Sequence, residues 1–197
     1  MNVNLIELSK IIYCPLSKKY EIVFNTVDDS KEFVIYVSNL YAKKIAISSE
    51  NIASTLLSQY ELFINLLSLL KIEISDIIIK KYNNNLISII NLCDDKKNVM
   101  QLNSYVGDAL ILSFKSFSNI YVEDSLLLNK VEKYHVTHNI DNKIISLDNA
   151  NNILANSNHF ENKIDMLQKA LSECISKENY ESAAFIRDRI KTLNKSK

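Results

Sequence analysis

Residues 3–13 and 20–27 are runs of β-branched and aromatic side chains separated by Pro15 and the doublet Lys18-Lys19. This is the pattern of two strands joined by a loop. After the turn residues Asp28-Asp29-Ser30, positions 32–37 alternate as a third strand. The spacing then becomes helical. Leu40, Ala42, Ile45 and Ala46 predict a helix over 39–48, and Leu62, Phe63, Leu66, Leu67 and Leu70 predict a second over 60–70. Residues 72–82 and 86–92 read as a hairpin around Asn83-Asn84-Asn85, residues 99–102 as a short strand, 107–117 as a helix and 119–122 as extended chain.

From 130 to 160 the periodicity fades and Asn, Asp, Ser and His accumulate, so this stretch reads as a linker between two units that do not share one core. Beyond it, Ile164, Leu167, Leu171, Cys174 and Ile175 form an apolar helical stripe. Residues 176–179 make a break, and Tyr180, Ala183, Ala184, Arg187, Ile190 and Leu193 mark a second helix. Two short amphipathic helices with a tight turn predict an αα-hairpin whose stripe needs a partner. The expected organisation is an α+β domain over 1–129, in which helices pack on a mixed sheet, then the linker, then a helical hairpin over 161–197.

Composition narrows the chemistry. A chain of 197 residues with 47% hydrophobic and 23% charged residues is that of an ordinary globular protein. It shows neither a bilayer-length apolar run nor an export signal at its start, so a cytoplasmic protein with no membrane role is expected. Lysine plus arginine, 23, equals aspartate plus glutamate, 23, so any phosphate contact must come from a local patch. The doublets Lys18-Lys19, Lys43-Lys44, Lys80-Lys81 and Lys96-Lys97 offer one; solvated faces are the ordinary reading of each. Cys14, Cys93 and Cys174 form no CxxC and fit reduced thiols. Gly107 is the single glycine, which excludes a glycine-rich phosphate loop. Abundant Ile, Lys and Asn indicate an AT-biased, bacterial genome, and asparagine is expected to take left-handed turn positions. His135 and His138 have a conceivable metal-ligand spacing, but with His159 they read more simply as exposed histidines.

The segment Leu167-Gln168-Lys169-Ala170-Leu171, then residues 178–190 with Tyr180-Glu181, Ala183-Ala184, Arg187-Asp188 and Ile190, then Leu193, resembles the UVR motif of the bacterial excision-repair proteins UvrB and UvrC. Paired alanines let two helices approach closely. The chain's two arginines, Arg187 and Arg189, both lie here, which points to a need for a planar guanidinium in a chain that otherwise uses lysine. The resemblance implies a protein-interaction hairpin. Leu167, Leu171, Tyr180, Ala183, Ala184, Arg187 and Ile190 are the expected partner-binding residues, with Tyr180, Ala184 and Ile190 facing the stripe of the first helix. The partner is a UVR-bearing protein, a second copy, giving a homo-oligomer, or the chain's own α+β domain.

The first 130 residues resemble the bifunctional nuclease domain. Val34-Ile35-Tyr36-Val37 with Ala42 and Ile45-Ala46, then Gln59-Tyr60-Glu61-Leu62-Phe63, then Gly107-Asp108-Ala109-Leu110, and finally Ile120-Tyr121-Val122-Glu123 follow its motif order. Position by position, Tyr60 stands where that family has histidine and Glu61 where it has aspartate. Asn103, Tyr105, Val106 and Gly107 replace an aspartate, an arginine, a proline and a serine, while Asp108 and Ala109 match. The resemblance implies hydrolysis of DNA or RNA phosphodiesters with a divalent metal, Mg or Mn. Asp108 and Glu61 are the candidate catalytic carboxylates, Asp108, Glu61 and Glu123 the candidate metal ligands, and Lys115, Lys43 and Lys44 the candidate nucleic-acid contacts. Asp108 and Glu61 also each sit at a predicted helix start, where a carboxylate is favoured without any catalytic role. Tyr60 is no near-neutral base, since a phenol titrates near pH 10. The alternative function is a non-catalytic adaptor in DNA repair or stress response that acts through the hairpin.

Overall fold

The structure, a computed structural model, describes residues 2–15, 17–52, 58–129 and 163–195. In chain order the elements are β1 (Val3–Cys14), β2 (Lys19–Thr26), β3 (Lys31–Val37), α1 (Asn39–Ser49), α2 (Gln59–Leu69), β4 (Ile72–Tyr82), β5 (Asn85–Asp94), β6 (Val99–Ser104), α3 (Val106–Ser116), β7 (Asn119–Glu123), a 3-10 turn (Asp124–Leu126), β8 (Leu128–Asn129), α4 (Lys163–Ser176) and α5 (Tyr180–Lys195). Each element read from the sequence is present. The 3-10 turn and β8 are additions, too short to show a period. The 130–160 segment and its histidines lie outside the described residues.

One mixed sheet has the order β6-β5-β4-β7-β1-β2-β3-β8. Among the described strands only β4 and β7 pair in parallel, with Ile77 opposite Ile120 and Ile79 opposite Val122; the crossover between them carries α3. The β4–β5 hairpin turns at Asn83 and Asn84, both left-handed (φ 46° and 63°), the pairing a two-residue turn of this hand requires. Lysine serves the same purpose at Lys18, Lys71 and Lys97, so asparagine shares the role that glycine usually fills. Phe117, which caps α3 in the left-handed region at φ 57°, is the bulkiest residue so placed. A side chain of that size pays about 1 kcal/mol for the conformation.

The main core lies between the sheet and its helices. Ile11, Ile22 and Phe24 of the β1–β2 pair, Ile77, Ile79 and Ile90 of β4 and β5, Ile45 of α1 and Leu110 and Ile111 of α3 are fully buried there. Helix α2 forms where the spacing predicts it, but its five apolar residues do not share one buried face. Only Leu67 is buried, Phe63 is half-buried, and Leu62, Leu66 and Leu70 point outward. Tyr60 is the other residue of the helix that is buried.

The C-terminal hairpin packs on its own α+β domain, one of the partners the sequence allowed. Leu167, Ala170, Ile186 and Ile190 cluster with Ile47 and Ile52, at the end of α1 and just beyond it. Met166 is fully buried in the main core. The expectation that the two units do not share a core is therefore overturned, because one helical stripe closes onto α1. A second correction concerns α5. Its inward face is Ala183, Ile186 and Ile190, whereas Tyr180 is exposed and Ala184 half-exposed. Ser182, Ala183, Ile186 and Ile190 span one arc of about 100°, and Ala184, roughly 100° further round, falls outside it. Ion pairs flank the contact: Arg189 Nε donates to Glu50 Oε2 at 2.5 Å, and Lys43 pairs with Glu173. The Glu50 side chain is nearly fully buried at the C-cap of α1, where the helix dipole disfavours a carboxylate, so Arg189 offsets a cost the fold would otherwise bear. No helix among the described residues is long and apolar enough to cross a membrane.

Candidate functional site

The residues singled out by sequence gather around α3. Asp108 is in its first turn and Lys115 in its last, seven residues on and therefore on the order of 10 Å along the axis. Helix α2 begins beside it. Ser58 and Glu61 form a reciprocal capping box: the Glu61 backbone N–H donates to Ser58 Oγ at 3.4 Å, and Glu61 Oε2 accepts from the Ser58 backbone N–H at 2.7 Å. The serine-x-x-glutamate spacing satisfies two of the free N–H groups at the helix start.

Around Asp108 the contacts are with tyrosines. Its Oδ1 accepts a hydrogen bond from the Tyr60 hydroxyl at 2.7 Å and another from the Tyr41 hydroxyl at 3.0 Å. Burial pushes both phenols up from their ordinary value, and the hydrogen bond to the Asp108 carboxylate and its charge push them further. They are hydrogen-bond donors at neutral pH and not bases. Lys44 stands 5.1 Å from the centre of the Tyr60 ring and 6.0 Å from that of Tyr41, within range of a cation–π contact with the first. Gly107 makes the cluster possible. A Cβ on it would stand 2.8 Å from Cδ1 and 2.9 Å from Cε1 of Tyr41, so any side chain displaces the ring. Tyr41 escaped the sequence reading. The signal for it was the chain's single glycine, since a glycine in a helix weakens it relative to alanine and often marks a close approach.

Glu61 turns the other way. Its Oε1 accepts from Lys115 Nζ at 2.6 Å, and the pair lines a shallow cleft of about 190 Å³ with Asn51, Ile52, Ile64 and Asn65. Burial pushes the Glu61 carboxyl up, but the hydrogen bonds from Lys115 and Ser58 outweigh it and hold the group below its ordinary value. A carboxylate lowered in the folded state contributes stability above the ordinary glutamate range and loses it as the pH falls through the folded value. Glu61→Gln should therefore lower the melting temperature at pH 7. Its deficit against the wild type should shrink as the pH is taken below the glutamate range. A deficit constant from pH 7 to pH 3 would show that the charge contributes nothing.

The structure thus brings Tyr60 to Asp108 and Glu61 to Lys115, but draws the two carboxylates toward opposite ends of α3. Glu123 is on β7, where its Oε2 accepts from the Lys81 backbone N–H at 3.1 Å, and it shares no partner with either. Among the described residues no three His, Cys, Asp or Glu side chains stand close enough to hold a metal ion. The set Asp108, Glu61 and Glu123 does not fit a shared Mg or Mn. Lys43, Lys44 and Lys115, the candidate nucleic-acid contacts, each face an internal group: Glu173, the tyrosine rings and Glu61. The hairpin's candidate contacts divide. Leu167, Ala183 and Ile190 are buried, Leu171 and Ala184 are half-exposed, and Tyr180 and Arg187 face outward, Arg187 bonded to Asp188 at 3.0 Å.

No curated protein matches the chain. The sequence model of the UvrB/UvrC motif matches residues 161–196, the hairpin. That of the bifunctional nuclease domain matches residues 22–134, more than half of the chain, including α1, α2, α3 and the tyrosine–aspartate cluster. By that match the chain belongs to the bifunctional nuclease domain family, with a UvrB/UvrC motif at its C-terminus.

Proposed function

We propose that this member of the family works as a non-catalytic adaptor, in which the nuclease-type domain is a scaffold and the UVR hairpin engages a protein partner in DNA repair or stress response. The observation that carries this reading is Asp108 Oδ1 held by two tyrosine hydroxyls. A carboxylate committed to one buried and one half-buried phenol supports packing, and the position of the family's histidine is filled by the buried one, Tyr60. Partner contact falls to the outward face of the hairpin, Tyr180, Ala184 and Arg187, since the other stripe is covered by α1. Nucleic-acid contact through Lys43, Lys44 or Lys115 would compete with their internal partners.

The second reading is weak hydrolysis of DNA or RNA dependent on Mg or Mn. It draws on Asp108 Oδ2, which receives no hydrogen bond from a described residue on a half-exposed side chain. One experiment separates the two. The full chain and Asp108→Asn are incubated with single-stranded DNA and RNA in Mg²⁺ or Mn²⁺, and a UVR-bearing protein is titrated against each. The adaptor reading expects no cleavage above buffer, with binding that Arg187→Glu weakens. Metal-dependent cleavage that Asp108→Asn abolishes would sink it.

A further inference from the structure

Helix α2 carries an apolar face that no described residue covers. Leu62 is 66% exposed, Leu66 49%, Leu69 83% and Leu70 59%. At about 100° per residue, Leu62, Leu66 and Leu69 fall within an arc of roughly 60°, with Leu70 on its flank. The inward side of the same helix, Tyr60 and Leu67, is already packed, so the outer leucines are not needed for the core. Together the four expose on the order of 500 Å² of apolar surface on one short helix, at the upper end of what a monomer carries without a function for it.

We infer that this face is a two-fold interface between copies of the chain, with α2 of one copy packed antiparallel on α2 of the other and Leu66 near the axis. Two properties favour a second copy over a different protein. The first is charge. The outward positions of α2 are Gln59, Leu62, Asn65, Leu66, Ser68, Leu69 and Leu70, with no ionised group among them, while Glu61 is turned to Lys115. A neutral face meets no like-charge repulsion against itself and offers a charged partner nothing to pair with. The second is area. Burying about 500 Å² on each of two copies reaches the roughly 1,000 Å² that a biological interface should clear, and rim residues around the leucines bring it toward the standard size. A two-fold axis through the helix centre sets Leu62 of each copy against Leu69 of the other, so one stripe supplies both halves. This surface is separate from the hairpin and does not depend on the proposed function.

Leu66→Lys and Leu66→Glu test the inference in the full chain. The position is exposed and both residues are good helix formers, so helix content stays at the wild-type value, and the melting temperature of each variant equals that of the wild type diluted to monomer. Sedimentation equilibrium across the micromolar range is expected to show a dimer for the wild type and monomers for each variant, a rise in Kd of about 100-fold or more. Mixing the two variants in equal amounts restores a dimer, because lysine and glutamate then meet across the axis. A monomeric wild type overturns the inference and assigns the stripe to another protein or to residues 130–162. Variants that remain dimeric, or a mixture that stays monomeric, overturn it as well.

Discussion

Ile186→Glu is expected to release the C-terminal hairpin from the domain. Ile186 is 1% exposed and packs in the cluster with Leu167, Ala170, Ile190 and Ile52. The substitution loses about 2–3 kcal/mol of apolar burial and sets a carboxylate in the same space at a further cost of several kcal/mol. A cluster of five buried side chains has no such reserve, so the cheaper outcome is to expose the whole stripe. Isolated helices of the length of α4 and α5 are marginal in water, so undocking also unwinds them. Amide exchange across 163–195 should accelerate at least about a hundredfold, corresponding to a loss of roughly 3 kcal/mol in protection. Met166 leaves the main core in the process, and the domain itself should lose a few degrees of melting temperature. Phe185→Glu, one residue away but half-exposed, is the control and should change neither. Equal protection of α4 and α5 in the wild type and in Ile186→Glu would refute the docked arrangement.

Asp108→Ala should destabilise the protein, and the sign of that effect is what matters. Removing the carboxylate leaves the Tyr60 and Tyr41 hydroxyls without their acceptor, and Tyr60 is only 5% exposed. Two lost hydrogen bonds to a charged group, one from a buried donor, amount to about 2–4 kcal/mol. For a chain of this size that lowers the melting temperature by roughly 5–12 °C. Asp108→Asn keeps an accepting oxygen and should cost less than half as much. A carboxylate held in place for catalysis behaves in the opposite way, since its removal commonly leaves stability unchanged or raises it. Thermal melts of the three proteins therefore bear on function without any substrate. A melting temperature for Asp108→Ala at or above that of the wild type would remove the packing role assigned to this residue.

The elements themselves were legible in the chain because each rests on local physics. The β-branched and aromatic runs of β1 and β2, the alternation of β3, the helical spacing of α1 and α3, and Asn83-Asn84 at a left-handed turn between β4 and β5 all follow from side-chain direction and backbone sterics. The helix-start position of Glu61 was equally local, and the structure adds Ser58 as its reciprocal capping partner. The hairpin also announced itself, by two stripes and a break. Sequence could not say which apolar face meets what. Spacing gave α2 five apolar residues, but the buried side is set by where β4 and α3 already lie, and Tyr60 reaches inward to Asp108. The same limit applies to α5, where the docking of α4 on α1 chooses Ala183 over Ala184. Candidate chemistry suffered most. Tyr41 and Asp108 are 67 residues apart in the chain, as Glu50 and Arg189 are 139 apart, and neither distance leaves a periodic trace. Partnership between groups so far separated is fixed only when helices pack on the sheet, and that packing, not the residue types, turned the candidate carboxylates toward tyrosines and a lysine and away from each other.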